Sequence, residues 1–214
     1  MTKTQTGTLL VGGIEYNEYP PPQPLLRAME SKWAEELVKT GLVRLRKLEY
    51  YRQWKNNLLG DPDDGQGLYH LDNYPMQMGS VNDVYAWCLS LPDISSERLL
   101  AIAEHGDYDC IVVIHAPEKL FTRMQDYLQK RHEGFRVHCG YVHYNRGAEV
   151  NKETLNSQKF HFNIFQKAPQ FQDDQEYRLS VTNCTADRHE EDYLDLRLGD
   201  CRDITSIQPL PNNC

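Results

Sequence analysis

The sequence predicts an α+β fold, a single domain with a mixed, mostly antiparallel sheet and two to four helices. Three observations predict it. Segments with an apolar residue at every second position outnumber those with a helical repeat, notably Leu42 to Leu48, Tyr85 to Leu91, Glu176 to Val181 and Tyr193 to Leu198. The strand–helix–strand alternation of a parallel sheet is not sustained. The 214 residues, 40% hydrophobic and 25% charged, suffice for one core and lack the composition of a disordered chain.

Residues 1–24 read as an N-terminal arm or edge strand, with strand-like Leu9 to Val11 and Ile14 to Tyr16 ahead of a proline cluster ending at Pro24. Residues 25–210 make up the domain. Leu25 to Thr40 is expected to be one amphipathic helix, because Leu26, Met29, Trp33 and Leu37 recur at helical spacing and Gly41 is placed to end it. Leu42 to Leu48 follows as a half-buried strand, with Leu45 inward and Arg44 and Arg46 on the opposite side. Glu49 to Leu59 reads as a short helix or turn, Gly60 to Gly67 as turns, and residues 66–83 as a loop or poorly paired strand. Tyr85 to Leu91 is a buried strand stopped by Pro92, and Ser95 or Ser96 caps a helix running to about His105. Asp109 to His115 is the clearest central strand, and Pro117 opens a helix to about Arg131. Phe135 to Tyr144 is a strand pair or one strand bulged at Gly140, and residues 145–159 are a polar link. Beyond residue 183 come a charged loop and two last strands, Tyr193 to Leu198 and Ile204 to Ile207.

No apolar run approaches the roughly 20 residues of a membrane span, and residues 1–20 lack a signal-peptide pattern, so the expectation is a cytoplasmic protein with no membrane partner. The six cysteines form no C-x-x-C pair, which favours reduced thiols and no metal site. The formal net charge of −8 argues against a general nucleic-acid binder. Residues 27–55 are nonetheless locally basic, a pattern that suits a small phosphate-bearing ligand, a nucleotide, better than a long duplex.

Phe165 to Val181 organises the reading. It is a surface segment running into a strand on which Glu176, Arg178 and Ser180 share one face and Tyr177, Leu179 and Val181 the other. Asp173 and Asp174 crowd Glu176, and like charge of that kind raises a carboxylate's pKa. The plainer account is an exposed strand end with one ion pair. Asp61, Asp63 and Asp64 resemble a calcium loop but miss its spacing and closing Glu. The usual phosphate-loop, dinucleotide, nucleophile-elbow and zincin motifs are missing, and Cys88, in an apolar strand, reads as an inert thiol. What remains is spread along the chain: Arg44 or Arg46, then Ser90, then the D-x-E of Asp174 and Glu176, with Tyr50, Tyr51 and Trp54 close after the arginines.

GLVRLRKLEYYRQW, GDPDDG, YAWCLSL, DCIVVI and F-x-K-x-x-x-F-x-x-D-x-E-Y-R resemble, over roughly residues 25–182, a group of uncharacterised bacterial proteins with G-x-[LI]-R, Y-R…G-D-P-x-[DE]-G and K-x-x-x-[FW]-x-x-E-x-E-[YW]-R motifs. More distantly, an early basic residue, a serine motif and a late [QED]-x-E resemble the order found in ADP-ribosyltransferases. That resemblance implies an ADP-ribosyltransferase-like fold and an NAD-using transferase or NAD glycohydrolase of toxin or phage-defence type, with NAD as substrate. It implies Glu176 as the catalytic carboxylate, Arg44 or Arg46 as phosphate anchor with Arg178 as alternative, Ser90 as ribose-side support, and Tyr50 or Tyr51 as ring platform. The chain departs from the pattern in having Cys88 where a serine is expected. Three other readings stand beside it: a non-catalytic nucleotide or cyclic-dinucleotide binding module; a metal-dependent nuclease using Asp61, Asp63, Asp64 or Asp174; and an interaction protein with no small-molecule site, in which Glu176 and Arg178 hold the sheet edge.

Overall fold

The computed structural model describes residues 2–3, 9–53, 60–71, 73–77, 83–150, 163–185 and 189–211. It is an α+β protein built on one large mixed sheet. The N-terminal strands β1 (Thr2–Lys3), β2 (Leu9–Val11) and β3 (Ile14–Tyr16) form one flank. Ile14 and Tyr16 are both buried in the main core, so the arm is packed into the domain.

The segment expected as one helix over Leu25 to Thr40 is a strand and a helix, β4 (Leu25–Met29) and α1 (Ser31–Thr40). Apolar residues crowd the first five positions, which suits a strand covered on both faces as well as a helix start. Tertiary pairing decides, because β4 makes five register pairs with β9 (Cys110–Ile114). Helix α1 begins where the Asp109 carboxylate accepts from the Ser31 amide and hydroxyl, both at 2.6 Å, and ends at Gly41 in the left-handed conformation.

Next come β5 (Leu42–Lys47), α2 (Leu48–Arg52) and a hairpin of β6 (Leu68–Leu71) and β7 (Tyr74–Gln77) in the region read as a loop or poorly paired strand. The hairpin pairs with β11 (Glu149–Val150) as a small second sheet. The remaining elements are β8 (Val84–Ser90), α3 (Ser96–His105), α4 (Pro117–Arg131), β10 (Phe135–Tyr141), β12 (Glu176–Asn183), β13 (Tyr193–Arg197) and β14 (Thr205–Pro209). In the large sheet the order is β1-β2-β3-β10-β12-β8-β4-β9-β14, with β13 reaching β8 through β5. The centre is therefore β12 and β8. Strand β9, expected to be central, lies one from the edge, although all five of its residues are buried.

Helices α1 and α4 cover one face, over a core that includes Trp87, Phe121, Tyr177 and Leu179. Helix α3 packs on the other face against β4 and β9, and beside it α2 and residues 163–165 cover Val84 and Ala86. No helix among the described residues is long and apolar enough to cross a membrane.

Gly140 is in regular register with Arg178, so the expected bulge is absent. The glycine is needed because the Asn17 side chain lies on it, donating to the Tyr141 carbonyl at 3.0 Å and accepting from its amide at 3.1 Å. A Cβ at position 140 would stand 2.0 Å from Asn17 Cγ. Gly140→Ala is therefore expected to lower unfolding free energy by about 1–3 kcal/mol. The Asn17→Ala/Gly140→Ala double variant should lose less than the sum of the single losses in urea denaturation, because removing the amide removes the clash.

Candidate functional site

Six side chains form an alternating line of charge beneath the face of β12 and β8. Asp64 accepts from Arg178 Nη1 and Nη2 at 2.9 and 3.1 Å, and Arg178 Nε donates to Glu176 Oε1 at 2.7 Å. Glu176 Oε2 meets Lys167 Nζ at 2.8 Å, Lys167 reaches Asp174 at 3.2 Å, and Asp174 accepts from Arg98 Nε at 2.9 Å. All but Arg98, which is nearly so, are buried, and Arg178 is 0% exposed. The line ties together the 60–67 turns, residues 163–175, β12 and α3, whose Ser95 cap accepts from the Arg98 amide.

Burial alone would raise the Glu176 pKa, but Arg178 and Lys167 outweigh it and hold the carboxyl well below the usual range. The crowding by Asp173 and Asp174 therefore does not produce the raised pKa expected from sequence. Asp174 is turned to Arg98 and Lys167. Lys167 and Arg178 are held charged by the carboxylates around them. The Cys88 thiol, in register with Arg178, is pushed up to about 12 by burial and by Glu176, so it stays protonated. The account of an exposed strand end with one ion pair does not hold: Glu176 is 5% exposed and lies on one of the two central strands.

Beside this line the sheet forks. Strand β8 pairs with β12 along its whole length, but its other edge is shared, with β4 meeting it at Ser90 and β5 at Ala86 and Tyr85. The two strands diverge past Trp87 to Leu89, and the Arg27 guanidinium fills the gap, donating from Nη1 to the Cys88 carbonyl and standing 5.7 Å from the Trp87 ring. A buried carbonyl left without a strand partner is costly, and Arg27 supplies the donor. Its Nε is buried and has no hydrogen-bond partner among the described residues.

Two cavities open at the fork. One of about 310 Å³ is lined by aromatic and basic residues, Trp33, Trp87 and Tyr50 with Arg27, Arg44 and Arg46. The other, about 100 Å³, reaches Cys88, Ser90, Glu176 and Lys167. Arg27, Ala28, Tyr51 and Tyr108 line both, so the two adjoin as neighbouring compartments.

The residues singled out from sequence divide between these compartments. Arg44, Arg46, Tyr50 and Tyr51 line the larger one; Ser90 and Glu176, opposite each other in register, line the smaller together with Tyr51. Strand β5 is not the neighbour of β12, because β8 lies between them. Arg44 is held by Asp195 through two 2.7 Å hydrogen bonds and lies over Tyr193. Arg46 lies 4.4 Å from the Tyr50 ring centroid and has no carboxylate partner among the described residues. Arg178 lines neither compartment; its guanidinium is spent on Asp64, Glu176 and the Ile164 carbonyl behind the site. Trp54 lies outside the described residues. Asp61 pairs with Arg146 at 2.6 Å and Asp64 with Arg178, and no group of three or more potential metal ligands occurs among the described residues.

Sequence reasoning missed Arg27, Arg98 and Tyr108. Arg27 carried a signal, as the one charge inside the apolar run LLRAM; the other two did not, because their roles depend on where α3 packs.

The ion pairs have a pH consequence. Because the folded-state Glu176 pKa lies below its ordinary value of 4.5, the stability it contributes is present above that value and lost as pH falls through the folded one. Glu176→Gln, which leaves Lys167 and Arg178 short of an anion, should cost about 3–5 kcal/mol at pH 7. In urea titrations the gap between wild type and Glu176→Gln should narrow at acid pH; a gap constant between pH 7 and 3 would contradict the pairing.

Comparison of the chain with protein-family models, curated proteins and solved structures finds no match.

Proposed function

We propose that the forked cleft binds NAD and that the chain cleaves its nicotinamide–ribose bond, as an ADP-ribosyltransferase or NAD glycohydrolase-like effector of toxin or phage-defence type. One observation carries this reading: a buried carboxylate, Glu176, paired with Arg178 and Lys167 at 2.7 and 2.8 Å, faces a compartment that adjoins one rich in arginine and aromatic rings. Arginines suit a pyrophosphate, and flat rings suit a base. Among the candidates, Arg46 and Arg27 are the cations least committed to carboxylates, and Tyr50 and Tyr51 offer the rings.

The chemistry follows from charge. When the carbon–nitrogen bond breaks, its electron pair leaves with neutral nicotinamide and positive charge develops at the anomeric carbon. A fixed carboxylate beside that carbon stabilises the charge, and water or an acceptor nucleophile then bonds to it and gives up its proton to solvent. Glu176 suits this as an anion rather than as a proton donor, and Lys167 and Arg178 keep it so. Ser90, in register with Glu176 across the strand pair, would bond a ribose hydroxyl.

Both Glu176 oxygens are already engaged, one by Arg178 and one by Lys167. That observation favours a second reading, a nucleotide-binding module without turnover. Calorimetric titration with NAD and an assay of nicotinamide release separate the two. The expected result is binding with release, weakened at least about tenfold in affinity by Arg27→Ala through loss of a charge-assisted hydrogen bond. Release should also disappear in Glu176→Gln and Glu176→Asp variants that thermal melting shows to be folded. Binding without release supports the module, and no binding at millimolar NAD removes the NAD reading.

A further inference from the structure

We infer that Tyr108 divides the cleft and thereby selects a two-ended ligand, a dinucleotide, over a mononucleotide; the inference rests on the nucleotide reading of the cleft. Four residues line both compartments, and three of them belong to or are held by the sheet side. Ala28 is part of β4, Arg27 is fastened to the Cys88 carbonyl, and the Tyr51 hydroxyl is 3.4 Å from the Ala86 carbonyl. Tyr108 comes from the connection between α3 and β9.

Its position is built. Helix α3 ends at Gly106, whose amide donates to the Ile102 carbonyl at 3.1 Å, and the Tyr108 amide returns to the Ala103 carbonyl at 2.8 Å. Between them Asp107 takes a φ of +54°, a left-handed conformation that residues with a Cβ adopt at a cost. The reversal lays the Tyr108 ring flat over Gly106. A Cβ on residue 106 would stand 2.2 Å from Tyr108 Cε2 and 2.6 Å from Cδ2 and Cζ. Gly106 has an ordinary negative φ of −96°, so the backbone there does not require glycine; the ring does. Glycine and turn together fix an aromatic ring at the boundary between the arginine-rich and carboxylate compartments.

A ligand confined to one compartment forgoes the contacts of the other. A ligand with two ends joined by a pyrophosphate can fill both, with the linker passing Tyr108 beside Arg27. Joining the ends makes the second contact intramolecular, so a dinucleotide gains affinity over either half only while the boundary is correctly shaped.

The test titrates wild type, Tyr108→Phe, Tyr108→Ala and Gly106→Ala with NAD, diadenosine diphosphate and AMP, each protein first shown folded by thermal melting. Wild type and Tyr108→Phe should bind both dinucleotides at least about tenfold more tightly than AMP, the smallest gain expected from joining two ends. Tyr108→Ala and Gly106→Ala should lose that preference, with affinity for the dinucleotides falling at least about tenfold further than affinity for AMP. No preference in wild type, an unchanged preference in both variants, or equal loss of AMP and dinucleotide overturns the role of Tyr108. The expected preference with no nicotinamide released from NAD would sink the glycosidic reaction and leave the divider standing. No binding of any of the three ligands would overturn both.

Discussion

The line of alternating charge from Asp64 to Arg98 is the constraint on which the rest of the site depends. Each charge is paired with its neighbours in the line, in positions largely sealed from water. Desolvating ions is costly, and apolar residues of similar volume commonly stabilise a core as well or better. A row of six therefore needs a reason other than stability. Its effects here are two. It fastens three separate chain segments over the central strands, and it leaves an ionised carboxylate at the wall of a cleft. The same residues thus hold the fold together and set the electrostatics of the site.

The fork in the sheet supplies the space. Two strands sharing one edge of β8 must separate, and the separation removes backbone partners from the middle of that strand. Arg27 satisfies the exposed carbonyl and contributes positive charge to the cavity that the separation creates. The cleft is thus a product of sheet topology, and its lining is drawn from both faces of the sheet, with Trp87 on one and Tyr51 on the other.

Much of the fold was legible because period-two alternation is strong where a strand has one apolar and one polar face, as at Leu42–Lys47 and Tyr193–Arg197. Helices α3 and α4 announced themselves through Ser95 and Pro117. Leu25–Met29 was misread because a strand buried on both faces loses its alternation, and only its pairing with Val112 and its neighbours distinguishes it from a helix start. The hairpin of Leu68–Leu71 and Tyr74–Gln77 was hidden by polar and proline residues tolerated at a small sheet's edge. At the site, the shared face of Glu176 and Arg178 was readable from their spacing. The partners Asp64 and Arg98 were not, because they lie 114 and 76 positions away from the residues they pair with.

The pairing of β5 with β13 bears on how the chain is made. Arg44 and Asp195, joined across that ladder, are 151 positions apart. A chain emerging from its N-terminal end presents β5, with its apolar Val43 and Leu45, long before residues 193–197 exist to cover its outer edge. Closing so long a loop before any reward is slow, and an unpaired strand edge invites pairing with other chains in the meantime. The alternating arginines of β5, Arg44 and Arg46, keep one face of that waiting strand charged. Residues that later line the cleft thus begin as protection for an unfinished sheet.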